Sequence, residues 1–117
     1  MPRVKTGVTR RRRHKKVLSQ TKSFRGANTR LIKRAKEALL HSGQYAYIGR
    51  KLRKRDMRKL WIIRINAAIK LVDEKLSYSK FINLLKKADI ALNRKMLAEL
   101  AVSAPDSFKT IVQKVWG

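Results

Sequence analysis

The sequence predicts an all-α protein: a long basic N-terminal helical arm over residues 1–60, disordered when free, followed by a small helical C-terminal domain over residues 61–117. Three observations carry this expectation. No run of useful length alternates apolar and polar residues with the period of two that a half-buried strand requires. Apolar residues recur instead at i, i+3, i+4 and i+7 behind recognisable helix starts. Charge and apolar content also divide along the chain. Residues 1–60 carry 21 Lys or Arg against two acids, and residues 61–117 carry ten against five. Both Trp residues and most of the Ile and Leu lie around or beyond position 57.

The arm opens on Pro2 and Gly7, which discourage regular structure, and continues into the run Arg10-Arg11-Arg12-Arg13-His14-Lys15-Lys16, which is not expected to pack against protein. From Arg25 the residues permit a helix, with Leu31, Ala35, Ala38 and Leu39 at helical spacing, and Gly43 is expected to interrupt it. The next cluster is Arg50, Lys51, Arg53, Lys54, Arg55, Arg58 and Lys59. At 100° per residue these cations surround a helix on nearly every side and leave it no apolar face to bury. Pairs such as Arg50 with Lys54 and Lys51 with Arg55 each oppose helix formation by about a few tenths of a kcal/mol. The free arm is therefore expected to be disordered and to fold when a polyanion reverses the sign of those terms. A helix over residues 25 to 60 spans roughly 54 Å at 1.5 Å per residue, the reach of a probe into a folded RNA.

Beyond Leu60 the elements are ordinary amphipathic helices. Trp61, Ile65, Ala68, Ile69 and Val72 share one face and continue unbroken from the basic cluster, so the arm's last helix enters the core. Ser77 is placed as N-cap of a helix carrying Tyr78, Phe81, Ile82, Leu85 and Ala88, and Asn93 caps a short one with Met96, Leu97 and Leu100. Pro105 sits at a first helical position ahead of Phe108, Ile111, Val112 and Val115. A core of this length is marginal, although many domains of its size fold alone.

Composition limits function. With 31 Lys or Arg and 7 Asp or Glu among 117 residues, the net charge is +24, and a polyanion is the first partner to consider. The absence of Cys excludes a disulfide scaffold, a thiolate metal site and a cysteine nucleophile. No apolar run approaches the roughly 18 residues of a membrane span, and the N-terminus lacks a signal peptide's apolar stretch, so a protein that stays in the cytoplasm is expected. No metal ligand cluster, Gly-rich phosphate loop or HExxH segment is present, so neither a cofactor nor catalysis is expected. His41 beside Ser42 lacks an acid to complete a triad.

The candidate RNA-contacting residues follow the cations. In the arm they are Arg3, Lys5, Arg10, Arg11, Arg12, Arg13, His14, Lys15, Lys16, Lys22, Arg25, Arg30, Lys33 and Arg34, then Arg50, Lys51, Arg53, Lys54, Arg55, Arg58 and Lys59. Tyr45 and Tyr47 lack apolar company and are the better stacking candidates, whereas Trp61, Tyr78 and Phe81 are expected in the core. Downstream the set adds Arg64, Lys86, Lys87, Asn93, Arg94 and Lys95. Cations in the first turn after Asn93 oppose the helix dipole, which anion binding there explains.

Several segments together resemble a known family. Pro2-Arg3-Val4-Lys5-Thr6-Gly7, the run Arg10 to Lys16, Lys54-Arg55-Asp56, Leu60-Trp61-Ile62, Arg64-Ile65-Asn66-Ala67, Leu76-Ser77-Tyr78-Ser79, Phe81-Ile82-Asn83 and Leu92-Asn93-Arg94-Lys95 occur in the order seen in the bacterial-type large-subunit ribosomal protein twenty family. The resemblance covers essentially the whole chain. It implies a non-enzymatic protein whose extended arm threads large-subunit ribosomal RNA while a helical domain sits on the RNA surface, with a role early in subunit assembly. It further implies neighbouring large-subunit proteins as partners, a bacterial ribosome in the cytoplasm as location and, in some members, repression of the protein's own messenger. The chain is expected neither to self-associate nor to bind membranes. Asp73-Glu74-Lys75 stands where the family more often has a Gly-containing turn, and the last helix ends early, at Trp116-Gly117.

Two other classes compete with this reading. A DNA-compacting protein is disfavoured by the lack of a major-groove recognition motif, and a membrane-active cationic protein by the lack of an apolar face on the arm.

Overall fold

The computed structural model describes residues 2–117. Five α-helices follow one another: α1 Gly7–Gln20, α2 Ile32–Val72, α3 Tyr78–Lys87, α4 Arg94–Ser103 and α5 Pro105–Trp116, with a 3-10 turn Gly26–Thr29 between α1 and α2. Among the described residues there is no strand, so the predicted all-α class holds. No helix is long and apolar enough to cross a membrane. The chain divides into two compact units, Met1–Lys51 and Leu52–Gly117.

In the first unit the basic run is helical from Gly7 onward, contrary to the irregular opening expected of Gly7. Arg and Lys are good helix formers when their heads reach water, and Gly7 stands at the first helical position, outside the helix interior where glycine's entropic cost is greatest. One stripe of α1 is covered: His14, Val17 and Leu18 are half-buried and Thr21, one turn on, is fully buried. The run therefore does lean on protein, through His14 alone. Thr21 satisfies its hydroxyl by donating to the Leu18 carbonyl at 3.2 Å.

The helix expected from Arg25 starts at Ile32 instead. Gly26 has φ +69°, a left-handed value that ends regular helix and that glycine adopts without penalty. The amides of Arg30 and Leu31 both donate to Ala27 O, at 3.1 and 2.9 Å, and the helix proper follows. Ala35 is the buried hydrophobic residue of this unit. The break expected at Gly43 is absent, because α2 runs through Gly43 and Gly49 without a positive φ at either. Each glycine costs about 1 kcal/mol relative to Ala, less than the consecutive i→i−4 hydrogen bonds that a break would sacrifice.

The second unit holds the main core. Ile65 and Ile69 of α2, Leu76 of the segment that follows it, Phe81 and Leu85 of α3, Leu97 and Ala98 of α4, and Phe108 and Val112 of α5 are buried together. Phe81 and Phe108 meet with ring centroids 5.8 Å apart and planes tilted by 54°, a favourable aromatic arrangement. Trp61, Ala68 and Val72 are half-buried against this cluster, as the shared face predicts.

Local capping chemistry sets the helix boundaries. Ser77 Oγ accepts from Lys80 N at 3.4 Å and Asn93 Oδ1 from Met96 N at 2.8 Å, both as expected of N-caps. Pro105 occupies the start of α5. The end of α3 is a Schellman arrangement in which Ile90 N donates to Leu85 O at 3.0 Å and Asp89 N to Lys86 O at 3.2 Å. Asp89 fills its left-handed position with φ 54°.

Candidate nucleic-acid interface

From position 41 to 60 every residue except Met57 is exposed, so this stretch of α2 is held by its own backbone hydrogen bonds and not by packing. It is the element that the ring of cations predicts.

Within the first unit, Arg3, Lys5, Arg10, Arg11, Arg12, Arg13, Lys15 and Lys16 are exposed, as are Lys22, Arg25, Arg30, Lys33 and Arg34. A cleft of about 580 Å³ lies between Arg10, Arg13, His14 and Val17 of α1 and Lys36 of α2. Lys36, absent from the expected set, thus joins the α1 cations. Tyr45 and Tyr47 are 71% and 52% exposed. The two rings have different company. Lys51 Nζ lies 4.4 Å from the Tyr47 ring centroid, a cation–π contact, while His41 stacks on Tyr45 at 6.4 Å between centroids.

The second unit brings the two distant basic motifs together. A groove of about 680 Å³ is lined by Arg53, Lys54, Arg55, Met57, Arg58 and Trp61 of α2, and by Asn93, Arg94 and Lys95 at the start of α4. Its charged lining is six cations and no acid. Arg94 is held in place by donating from Nε to the Tyr78 hydroxyl at 2.6 Å, so α3 orients a guanidinium of α4. Arg64 lines a smaller groove of about 240 Å³ with Trp61, Lys95 and Glu99. Lys86 and Lys87 are exposed at the end of α3, where they complement the helix dipole, and they line neither groove. Lys59 is exposed outside both grooves as well.

Helical periodicity puts Trp61 in the core and does not single out Met57. Trp61 does pack on the core, yet it also walls both grooves, and Met57 lies one turn before it. The i, i+4 spacing of Met57 and Trp61 amid cations is the signal that marks this pair. Among the described residues no group of His, Cys, Asp or Glu could hold a metal ion.

Known sequences match most of this chain. The family model for ribosomal protein L20 matches residues 3–111. The chain belongs to the ribosomal protein L20 family. It is 55% identical to the large ribosomal subunit protein bL20 of Francisella tularensis subsp. holarctica over 114 residues, 97% of this chain and 95% of that one. The corresponding protein of Hahella chejuensis is 53% identical over the same shares of the two chains. The L20 family match spans α1 to α4 and ends inside α5, so both basic motifs that line the larger groove lie within it.

Proposed function

We propose that this protein is a structural, non-enzymatic constituent of the large ribosomal subunit that binds 23S-type ribosomal RNA directly and helps fold it early in subunit assembly. The observation that carries the reading is the unpacked, cation-ringed stretch of α2 together with the groove in which the Arg53–Arg58 cluster meets Arg94 and Lys95. A helix with no apolar face and charge on all sides is stable inside a polyanion and poorly stabilised outside one. The arm over residues 1–60 neutralises and stitches RNA helices, with its Arg and Lys residues on phosphates and Tyr45 and Tyr47 on bases. The domain over residues 61–117 recognises an RNA shape through Arg64, Lys86, Lys87, Asn93, Arg94 and Lys95. Its relatives are bacterial large-subunit proteins, which places its work in the cytoplasmic ribosome beside other proteins of that subunit.

Competition binding tests this. Full-length protein is titrated with large-subunit ribosomal RNA against excess transfer RNA and duplex DNA. Retention of ribosomal RNA in competitor is the expected result, and equal displacement by all three overturns the reading in favour of a generic polycation. Addition of the protein's own messenger to the same competition tests the autoregulatory role that the family resemblance implies.

A further inference from the structure

Trp61 has two roles that rarely coincide in one side chain. It packs against the core cluster on one part of its surface, and it walls both the groove of about 680 Å³ and the groove of about 240 Å³. A half-buried indole fixed by the core is a rigid stacking surface, so little side-chain entropy is lost when a flat ring settles on it. Met57 adds a second apolar group at the larger groove, and a thioether adapts to the outline of whatever lies against it.

Phosphate neutralisation alone does not require such a surface. Cations that only meet a backbone do so from open helix faces, as Arg12 on α1 and Lys33 on α2 can. Here the apolar pair shares an open groove with Arg53, Arg58, Arg94 and Lys95, and no acid lines it. The hydrogen bond from Arg94 Nε to Tyr78 leaves the terminal N–H groups of the guanidinium for an anionic acceptor. A volume of about 680 Å³ lies within the range of roughly 300–1,000 Å³ typical of small-ligand sites. An aromatic wall among cations, with Arg94 tethered to Tyr78, matches one chemical class: a planar heterocycle carrying its own phosphates.

We infer that this groove receives one unpaired nucleotide of the bound RNA, its base stacked on Trp61 against Met57 and its flanking phosphates held by Arg58, Arg94 and Lys95. The inference rests on the RNA-binding reading above and deepens it. Recognition by the C-terminal unit is then recognition of an unstacked base, such as a bulge or junction supplies, because a fully paired helix offers no free ring to the indole.

Full-length Trp116→Phe protein, in which Trp61 is the sole indole, tests this. It is titrated with oligoadenylate, with a paired RNA duplex of the same phosphate number, and with polyglutamate, while binding is followed by ligand anisotropy and stacking by indole emission. The expected result is quenching of Trp61 by oligoadenylate and binding of the duplex without quenching. A Trp61→Leu substitution is expected to weaken oligoadenylate roughly five- to a hundredfold, the span found for removal of one stacked base, and to leave duplex affinity nearly unchanged. Binding of both RNAs with Trp61 emission unmoved overturns the inference alone. Equal quenching by duplex or polyglutamate shows a general polyanion surface or an acidic-peptide site, and overturns it too. Failure of oligoadenylate to bind while the duplex binds overturns the inference alone, and failure of both RNAs and of ribosomal RNA to bind overturns the parent reading along with it.

Discussion

The indole Nε1 of Trp116 donates a hydrogen bond to Asp73 Oδ2 at 2.6 Å, closing a span of 43 residues between the turn after α2 and the end of α5. Oδ1 of the same carboxylate accepts from the Lys75 amide at 2.9 Å. The indole hydrogen bond thus ties the turn Asp73–Leu76 to the last turn of α5. Asp73 forms an Asx-type turn through the Lys75 amide, and its second carboxylate oxygen is met by Trp116 in the last turn of α5.

The clasp makes a pH prediction. The Lys75 amide, followed by the Trp116 indole, lowers the Asp73 carboxyl below its ordinary value of 3.8. A carboxylate with a lowered folded-state pKa contributes stability that is fully present above its unfolded value and lost as pH falls through the folded one. Thermal unfolding followed from neutral pH to below 3.8 is expected to show a steeper acid loss in the native protein than in Asp73→Asn. Parallel slopes would remove the clasp from the account.

Asp89 predicts a gain. It holds φ 54° at the left-handed position closing α3, and its charge lies beside the negative end of the helix dipole. Asp89→Gly relieves both and is expected to stabilise the second unit by about 0.5–1 kcal/mol. Asp89→Val is expected to cost about 1–2 kcal/mol, because a β-branched residue is strained there. Denaturant midpoints of the two variants, with unchanged slope, check the sign of each.

Gly43 and Gly49 test what holds the exposed stretch of α2. A methyl group added at either meets nothing within 4 Å. The Gly43→Ala, Gly49→Ala double variant is therefore expected to favour helix by about 2 kcal/mol in the free protein, with no steric effect. Far-ultraviolet circular dichroism should show more helix before RNA is added and a smaller gain on addition. An unchanged spectrum would mean that the stretch is already fully helical alone.

The native protein makes the complementary prediction. Like charges at i, i+4 and the uncovered surface of residues 41–56 favour disorder of the arm in solution. The ellipticity of free protein is expected to match helix over residues 61–117, and to rise when ribosomal RNA is added. A free protein already as helical as its complex contradicts folding on binding.

How much of this was legible in the sequence depends on the range of the interaction involved. Ser77, Asn93 and Pro105 announce their helices because a cap acts within three residues, and the face from Trp61 to Val72 shows because helical periodicity is local. Gly43 misleads for the opposite reason: a propensity of about 1 kcal/mol is overruled by a long run of helix formers on both sides. The left-handed Gly26 and the helical start at Gly7 depend on a turn whose geometry is not written in composition. The Trp61 groove was hidden because it forms only when α4 brings Asn93–Lys95 beside α2, and Trp116 meets Asp73 through the same kind of tertiary closure. The cations are legible in composition, but the grouping that brings Lys36 to the α1 cleft and Arg94 to the α2 cluster requires the fold.

On the proposed function, the arm supplies indiscriminate phosphate neutralisation while the C-terminal unit supplies preference. The salt dependence of binding tests it most directly, measured for full-length protein on large-subunit ribosomal RNA and on transfer RNA. Substituting Arg11, Arg12 and Arg13 by Gln is expected to weaken both RNAs alike and to reduce the log–log salt slope by roughly 0.7–0.9 for each lost phosphate contact. Arg94→Gln with Lys95→Gln is expected instead to erode the preference for ribosomal RNA at a nearly constant slope. If the arm substitutions abolish the preference and the α4 substitutions leave it intact, the assignment of roles is contradicted.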